Sequence, residues 1–185
     1  MKFLIAGLGN IGVEYELTRH NIGFLTLDQL ADKFNVSFES ERLANKCEIK
    51  YKGRSIHLIK PTTYMNLSGK AINYWLTKLK IPKNNLLVVT DDTALPFGKL
   101  RMREKGSDAG HNGLKNIELV TGGNDYPRLR FGIGDNFLGG QKTDYVLGKF
   151  PPRELDQLAD AIKTANQIIL SYTSIGIERT MNFFN

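Results

Sequence analysis

The sequence predicts an α/β fold, a single globular domain over residues 1–185 in which a mixed central β-sheet carries helices on both faces. Three observations predict it. Strand-like and helix-like segments alternate along the chain, as they do where crossover helices connect the strands of one sheet. The short run Leu86 to Val89 is wholly apolar, which fits a strand covered on both sides. Glu48 to Tyr51 and Ser55 to Ile59 flank Lys52-Gly53-Arg54 as a hairpin, which adds an antiparallel pair.

The elements follow in order. Lys2 to Ala6 reads as a strand that runs into a glycine turn, and Phe24, Leu27, Leu30 and Ala31 share one face of a helix beginning after Asn21. Beyond the hairpin, Ile72, Trp75, Leu76 and Leu79 have the i, i+3, i+4, i+7 spacing of an amphipathic helix, closed by Pro82. After the apolar strand, Lys99, Arg101, Arg103 and Lys105 alternate with Leu100 and Met102, giving an extended segment one cationic and one apolar face. A helix from about Gly113 to Val120 ends at Gly122-Gly123. Arg128 and Arg130 then alternate with Leu129 and Phe131, so a second strand has the same two-faced pattern. Asp135 to Thr143 reads as a loop. A long helix follows Pro151-Pro152, with Leu155, Leu158, Ala159, Ile162, Ala165 and Ile169 inward.

Hydrophobic residues make up 41% of the chain and charged residues 24%, enough apolar material for a core and too much for a disordered chain. No apolar run approaches the roughly 20 residues that span a bilayer, so no membrane partner is expected. No signal peptide with a cleavage site is visible, which makes the cytoplasm the expected compartment. The single cysteine, Cys47, cannot form an internal disulfide or a Cys-rich zinc site, and reads as a half-buried strand residue. Lysine and arginine total 25 against 19 acidic residues, a net charge of +6 that suits a polyanionic partner. The two cationic strand faces look like a phosphate-binding surface, although solvated surface charge is the plainer reading of any one of them. Arg103, Lys105, Arg130 and Lys142 are the candidate phosphate contacts, Arg130 first.

Gly7-Leu8-Gly9-Asn10-Ile11-Gly12 follows the first strand and matches the G-x-G-x-x-G dinucleotide pattern. The expected helix is missing from Val13 to Asn21, and no acidic residue closes a second strand about 20 positions on. A dinucleotide-binding oxidoreductase is therefore the weaker alternative, and the turn instead displays Asn10 where open sheets place ligands. Four further motifs lie at element ends: Thr18-Arg19-His20-Asn21, Tyr64-Met65-Asn66-Leu67-Ser68-Gly69, Asp91-Asp92, and Gly110-His111-Asn112-Gly113. Asn21, Asn66 and Asn112 are ordinary N-cap candidates. Together, however, a histidine, a carboxylate and three carboxamides could share one sheet edge, which capping does not require.

The set contains no activated serine or cysteine motif, no histidine pair at metal-ligand spacing and no P-loop. A histidine can take a proton from water near neutral pH, and a carboxylate on its other ring nitrogen fixes the tautomer. His20 with Asp91 fits that role, with Asp92 the alternative partner. Carboxamides from Asn10, Asn66 and Asn112 could bind a peptide backbone or a developing oxyanion without adding charge. His57 reads as structural, whereas His111 fits loop orientation and ligand contact equally. A water-activating hydrolase acting on an ester or amide results, and an RNA-binding module without catalysis remains an alternative.

These motifs make the chain resemble bacterial-type peptidyl-tRNA hydrolases. The resemblance runs from Ile5-Ala6-Gly7-Leu8-Gly9-Asn10 and Tyr15 through Lys60 to Gly69, Asp91-Asp92, Gly110 to Leu114, Arg128 to Gly134 and Met181-Asn182. It implies hydrolysis of the ester joining a peptide to the terminal ribose of tRNA, by a monomer without a metal or organic cofactor. His20 would accept the proton and Asp91 would hold it in its basic form. Asn10 would separate blocked from free aminoacyl ends by pairing with the amide N–H. Tyr15, Tyr64, Met65, Asn66, His111 and Asn112 would line the substrate site. Three features depart from the family pattern: Ile11 stands where proline is usual, Asp108 and Ala109 stand at positions often small or glycine, and Thr90 precedes Asp91.

Overall fold

The computed structural model describes residues 1–185. Its strands are β1 (Lys2–Gly7), β2 (Glu39–Glu41), β3 (Ala44–Tyr51), β4 (Arg54–Pro61), β5 (Leu86–Asp92), β6 (Leu100–Arg103) and β7 (Arg128–Gly132). The helices are α1 (Ile22–Lys33), α2 (Ser68–Leu79), α3 (Asn112–Thr121), α4 (Lys142–Val146), α5 (Leu155–Ile175) and α6 (Ile177–Phe184). The strands form one mixed sheet in the order β2-β3-β4-β1-β5-β7-β6. β1 runs parallel to β4 and β5, and β5 parallel to β7, while the β2–β3, β3–β4 and β6–β7 pairs are antiparallel.

The central strands are apolar throughout because helices cover both faces. Phe3 and Ile5 of β1 join Leu87 and Val89 of β5 in a core with α1 and α5. Leu4, Ala6, Leu86 and Val88 point the other way, into a smaller core with α2 and α3. α1 starts hard against the sheet: a Cβ on Gly23 would lie 2.4 Å from the backbone nitrogen of Leu8. Only glycine permits that approach, which brings the turn before α1 beside the end of β1.

Several details differ from the sequence reading. α2 stops at Lys80, which adopts the left-handed conformation with φ 55°, before Pro82 is reached. β2 and α4 carry no pattern that marks them, α6 lies outside the expected elements although Ile177, Met181 and Phe184 share its core-facing side, and Lys142 begins α4 rather than lying in a loop. The two cationic strand faces are one face, since Arg101 lies opposite Arg130 and Arg103 opposite Arg128. Arg128 itself is buried, at 1% exposure. Its guanidinium sits 4.1 Å from the Tyr126 ring centroid and donates to the Asn124 carbonyl at 2.7 Å. β7 lies between β5 and β6, so its start is inside the sheet rather than at a surface.

β6 is an edge strand whose outer backbone groups have no strand partner. Asn185 supplies one: its carboxamide accepts the Met102 N–H at 2.8 Å and donates to the Met102 carbonyl at 2.9 Å. A side-chain amide thus stands in for a neighbouring backbone.

Candidate active site

β4 and β5 flank β1 on opposite sides, and their carboxyl ends open a crevice of the kind where α/β sheets hold ligands. A cleft of about 520 Å3 occupies it. Asn10 after β1, Met65 and Asn66 after β4, and Asp91 at the end of β5 line this cleft with His20, His111 and Asn112. Arg103, Lys105, Arg130 and Lys142 line it too. Tyr15 and Tyr64 lie outside its wall, Tyr15 half-buried and Tyr64 exposed. Tyr64 has φ 64°, a conformation unusual for a tyrosine, and this bend aims the next backbone N–H at Asn10.

Asp91 is buried between two imidazoles. One oxygen accepts from His20 Nδ1 at 2.8 Å and the other from His111 Nε2 at 2.8 Å. His111 Nδ1 accepts the backbone N–H groups of Gly113 and Leu114 at 3.1 and 3.3 Å, so its proton sits on Nε2. The Thr90 hydroxyl lies 3.0 Å from that same nitrogen. Burial pushes the Asp91 carboxyl upward, but the charge and hydrogen bonds of the two histidines outweigh it and hold the group well below the usual carboxylate range. His20 Nε2 remains as the nitrogen that Asp91 does not hold. Asp92 is committed elsewhere, to Arg130 Nε at 2.5 Å and the Ala94 N–H at 2.7 Å, which leaves Asp91 as the partner of His20.

Asn10 is fixed on three sides. Its backbone exchanges two hydrogen bonds with the Asn21 carboxamide, at 2.8 and 2.9 Å. Its side-chain oxygen accepts the Met65 N–H at 2.7 Å, leaving the NH2 group as what it presents. The oxygen expected to pair with an amide N–H is thus turned toward Met65. The N-cap expectation also changes: neither Asn21 nor Asn112 makes a side-chain cap bond, Asn66 lies within a 3-10 turn, and His111 caps α3. Asn116 escaped notice in the sequence because it sits mid-helix. Its oxygen accepts the Gly69 N–H at 2.7 Å and bolts the 64–69 segment to α3.

The loop before His111 is closed by Asp108, whose carboxylate accepts the Gly110 N–H at 2.8 Å while its carbonyl accepts the His111 N–H at 2.8 Å. His20, Asp91 and His111 bring three ligand-type atoms within 4.8 Å of one another. One nitrogen of each imidazole is hydrogen-bonded to Asp91 at 2.8 Å, so an ion held by these three atoms would displace both bonds. No helix opens within Gly7 to Gly12; Gly12 instead leads into a 3-10 turn at Val13–Tyr15. The helix N-terminus that a dinucleotide pyrophosphate requires is therefore not at this turn.

The family model described as peptidyl-tRNA hydrolase matches residues 4–185. A peptidyl-tRNA hydrolase of Cytophaga hutchinsonii is 54% identical over 185 residues, covering all of this chain and 98% of that one. The enzyme of the same description from Porphyromonas gingivalis is 52% identical, covering all of both chains. The crystal structure of peptidyl-tRNA hydrolase from Acinetobacter baumannii superposes with a TM-score of 0.93 at 32% identity, covering 99% of this chain and 94% of that one. With a family match over nearly its whole length and relatives at half identity or better, the chain belongs to the peptidyl-tRNA hydrolase family.

Proposed function

We propose that this chain hydrolyses the ester between peptide and tRNA in peptidyl-tRNA, with His20 as the proton acceptor. The observation that carries the residue assignment is the His20 Nδ1 contact with buried Asp91 at 2.8 Å, in a cleft also lined by carboxamides and cations. His20 Nε2 takes a proton from water, and the resulting hydroxide attacks the ester carbonyl. Asp91 stabilises the imidazolium so formed. The carbonyl becomes an oxyanion, which the NH2 groups of Asn10, Asn66 or Asn112 can receive without a charged partner. Collapse of the intermediate breaks the bond to the ribose oxygen, which leaves with the proton from His20, and the peptide departs as a carboxylic acid.

Arg103, Lys105, Arg130 and Lys142 meet the phosphates of the tRNA, with Tyr15, Tyr64, Met65 and His111 around the substrate. No helix of the structure is long and apolar enough to cross a membrane. The reading extends to a cytoplasmic monomer that needs no metal or organic cofactor, as the family resemblance implies. Sedimentation analysis and turnover in excess EDTA test the last two points. The central experiment compares peptidyl-tRNA cleavage by the parent and by His20→Ala. A parent without turnover would favour an RNA-binding module, and a fully active variant would remove His20 from the mechanism.

A further inference from the structure

α4 forms one wall of the cleft, contributing Lys142, Thr143 and Val146, with Leu147 just after it. At five residues it is far too short to hold its shape alone. What holds it is the segment just before His20. The Arg19 N–H donates to the Gly148 carbonyl at 3.0 Å, Thr18 bridges Lys149 in antiparallel fashion, and the Phe150 N–H donates to the Leu17 carbonyl at 3.3 Å. The Arg19 side chain then folds back over α4. Its guanidinium stacks 4.1 Å from the Tyr145 ring centroid and donates to the Tyr145 carbonyl at 3.1 Å, near the carboxyl end of that helix. A cation there gives a second donor to a carbonyl that also accepts the Gly148 N–H at 3.1 Å, and it opposes the helix dipole. Tyr145 is anchored in turn, its hydroxyl donating to the Ile133 carbonyl at 2.7 Å beyond β7. Gly148 leaves room for the stack, because a Cβ there would lie 2.9 Å from the Arg19 guanidinium.

We propose that Arg19 is a positioning residue: it clamps the α4 wall of the cleft to the turn that carries His20, and thereby sets substrate affinity rather than the rate of the chemical step. The affinity part rests on the hydrolase reading above. Arg19 does not line the cleft, so its effect on substrate passes through α4. His20 is oriented from another side by Asp91, a contact in which Arg19 takes no part. Lysine is a poor replacement, since its ammonium lacks the planar surface that stacks on Tyr145 while donating to the carbonyl.

Arg19→Gln, Arg19→Lys and Gly148→Ala test the clamp. The last variant crowds the same contact and serves if the Arg19 variants fail to fold. Backbone amides of residues 142–148 are expected to exchange with deuterium faster in each variant. KM for peptidyl-tRNA should rise about tenfold while kcat stays within about twofold, because one stacking contact and one hydrogen bond are lost away from the reacting atoms. The pH profile of kcat should not move. Unchanged exchange would overturn the clamp, and a fall in kcat at constant KM would show that Arg19 acts on His20 instead. A parent without turnover would defeat the hydrolase reading alone, since hydrogen exchange still decides whether Arg19 orders α4.

Discussion

The side-chain oxygen of Asn10 accepts the backbone N–H of Met65 at 2.7 Å, and that bond decides which end of the carboxamide faces the cleft. A backbone N–H can only donate, so the Asn10 oxygen is turned toward Met65 and its NH2 is the end without a partner in the protein. In the mechanism proposed above, Asn10 would then meet an acceptor, such as a carbonyl of the peptidyl ester.

Asn10→Asp keeps an oxygen for Met65 but replaces the offered donor with a charged acceptor. A free aminoacyl end carries an ammonium, which a carboxylate favours, whereas a peptidyl end offers amide carbonyls, which it repels. The ratio of kcat/KM for peptidyl-tRNA over aminoacyl-tRNA should fall on the order of tenfold. An unchanged ratio would remove Asn10 from substrate discrimination.

His20→Ala should lose on the order of 10²- to 10⁴-fold in kcat with an unaltered melting temperature. Asp91→Asn acts on the same step. Removing the carboxylate leaves the imidazolium formed on proton transfer without its counter-charge, so kcat should fall while KM changes little. An unchanged kcat would exclude Asp91 as the electrostatic partner of His20.

The arginines of the shared β6–β7 face should separate by burial. Arg130→Ala leaves the Asp92 carboxylate unpaired in the cleft, so it should weaken tRNA binding more than Lys105→Ala or Lys142→Ala, each of which lowers the salt slope by about one unit. Arg128→Gln should instead lower the melting temperature, because the buried guanidinium is held by carbonyls and the Tyr126 ring, and should leave the salt slope alone. Binding titrations across salt concentration, alongside thermal melts, check both.

His57 lies in β4 with 6% exposure, and burial is the main reason its imidazole is pushed down to about 4. Lys46, Lys2 and Lys50 push the same way, and Glu48 opposes them. An unfolded chain takes up this proton near 6.5 whereas the folded one resists to about 4, so stability should fall on acidification through that window. The full difference is roughly 3 kcal/mol. His57→Leu should flatten the pH dependence of denaturant midpoints between those limits, and an equally steep curve would assign the acid sensitivity to other groups.

Much of this architecture was readable because its signals are periodic. The apolar run at Leu86 to Val89 and the spacing of Ile72, Trp75, Leu76 and Leu79 follow from covered faces, and the strand and the helix occur there. Period-two alternation states which residues share a face but not what lies over it, which is why Arg128 read as exposed. β2, a wholly exposed Glu-Ser-Glu stretch, exists because β3 pairs with it, not because of its own residues. Within the cleft the residue types were legible but their couplings were not. The choice of His111 over Asn112 as cap depends on backbone angles, and the bonds from Asn21 to Asn10 and from Asn116 to Gly69 cross between segments with no fixed sequence offset.

The Asn185 carboxamide that completes the edge of β6 has a consequence in time. Met102 meets its partner across 83 positions, so a chain made from its amino end exposes that strand edge throughout synthesis of the intervening residues. Synthesis at about 5–20 residues per second makes this an interval of several seconds. During it, the strand bearing Arg101 and Arg103 has an open hydrogen-bonding edge and no α6 beside it. Chaperone capture or edge-to-edge aggregation has its opening in that interval, and the arrival of Asn185 closes it.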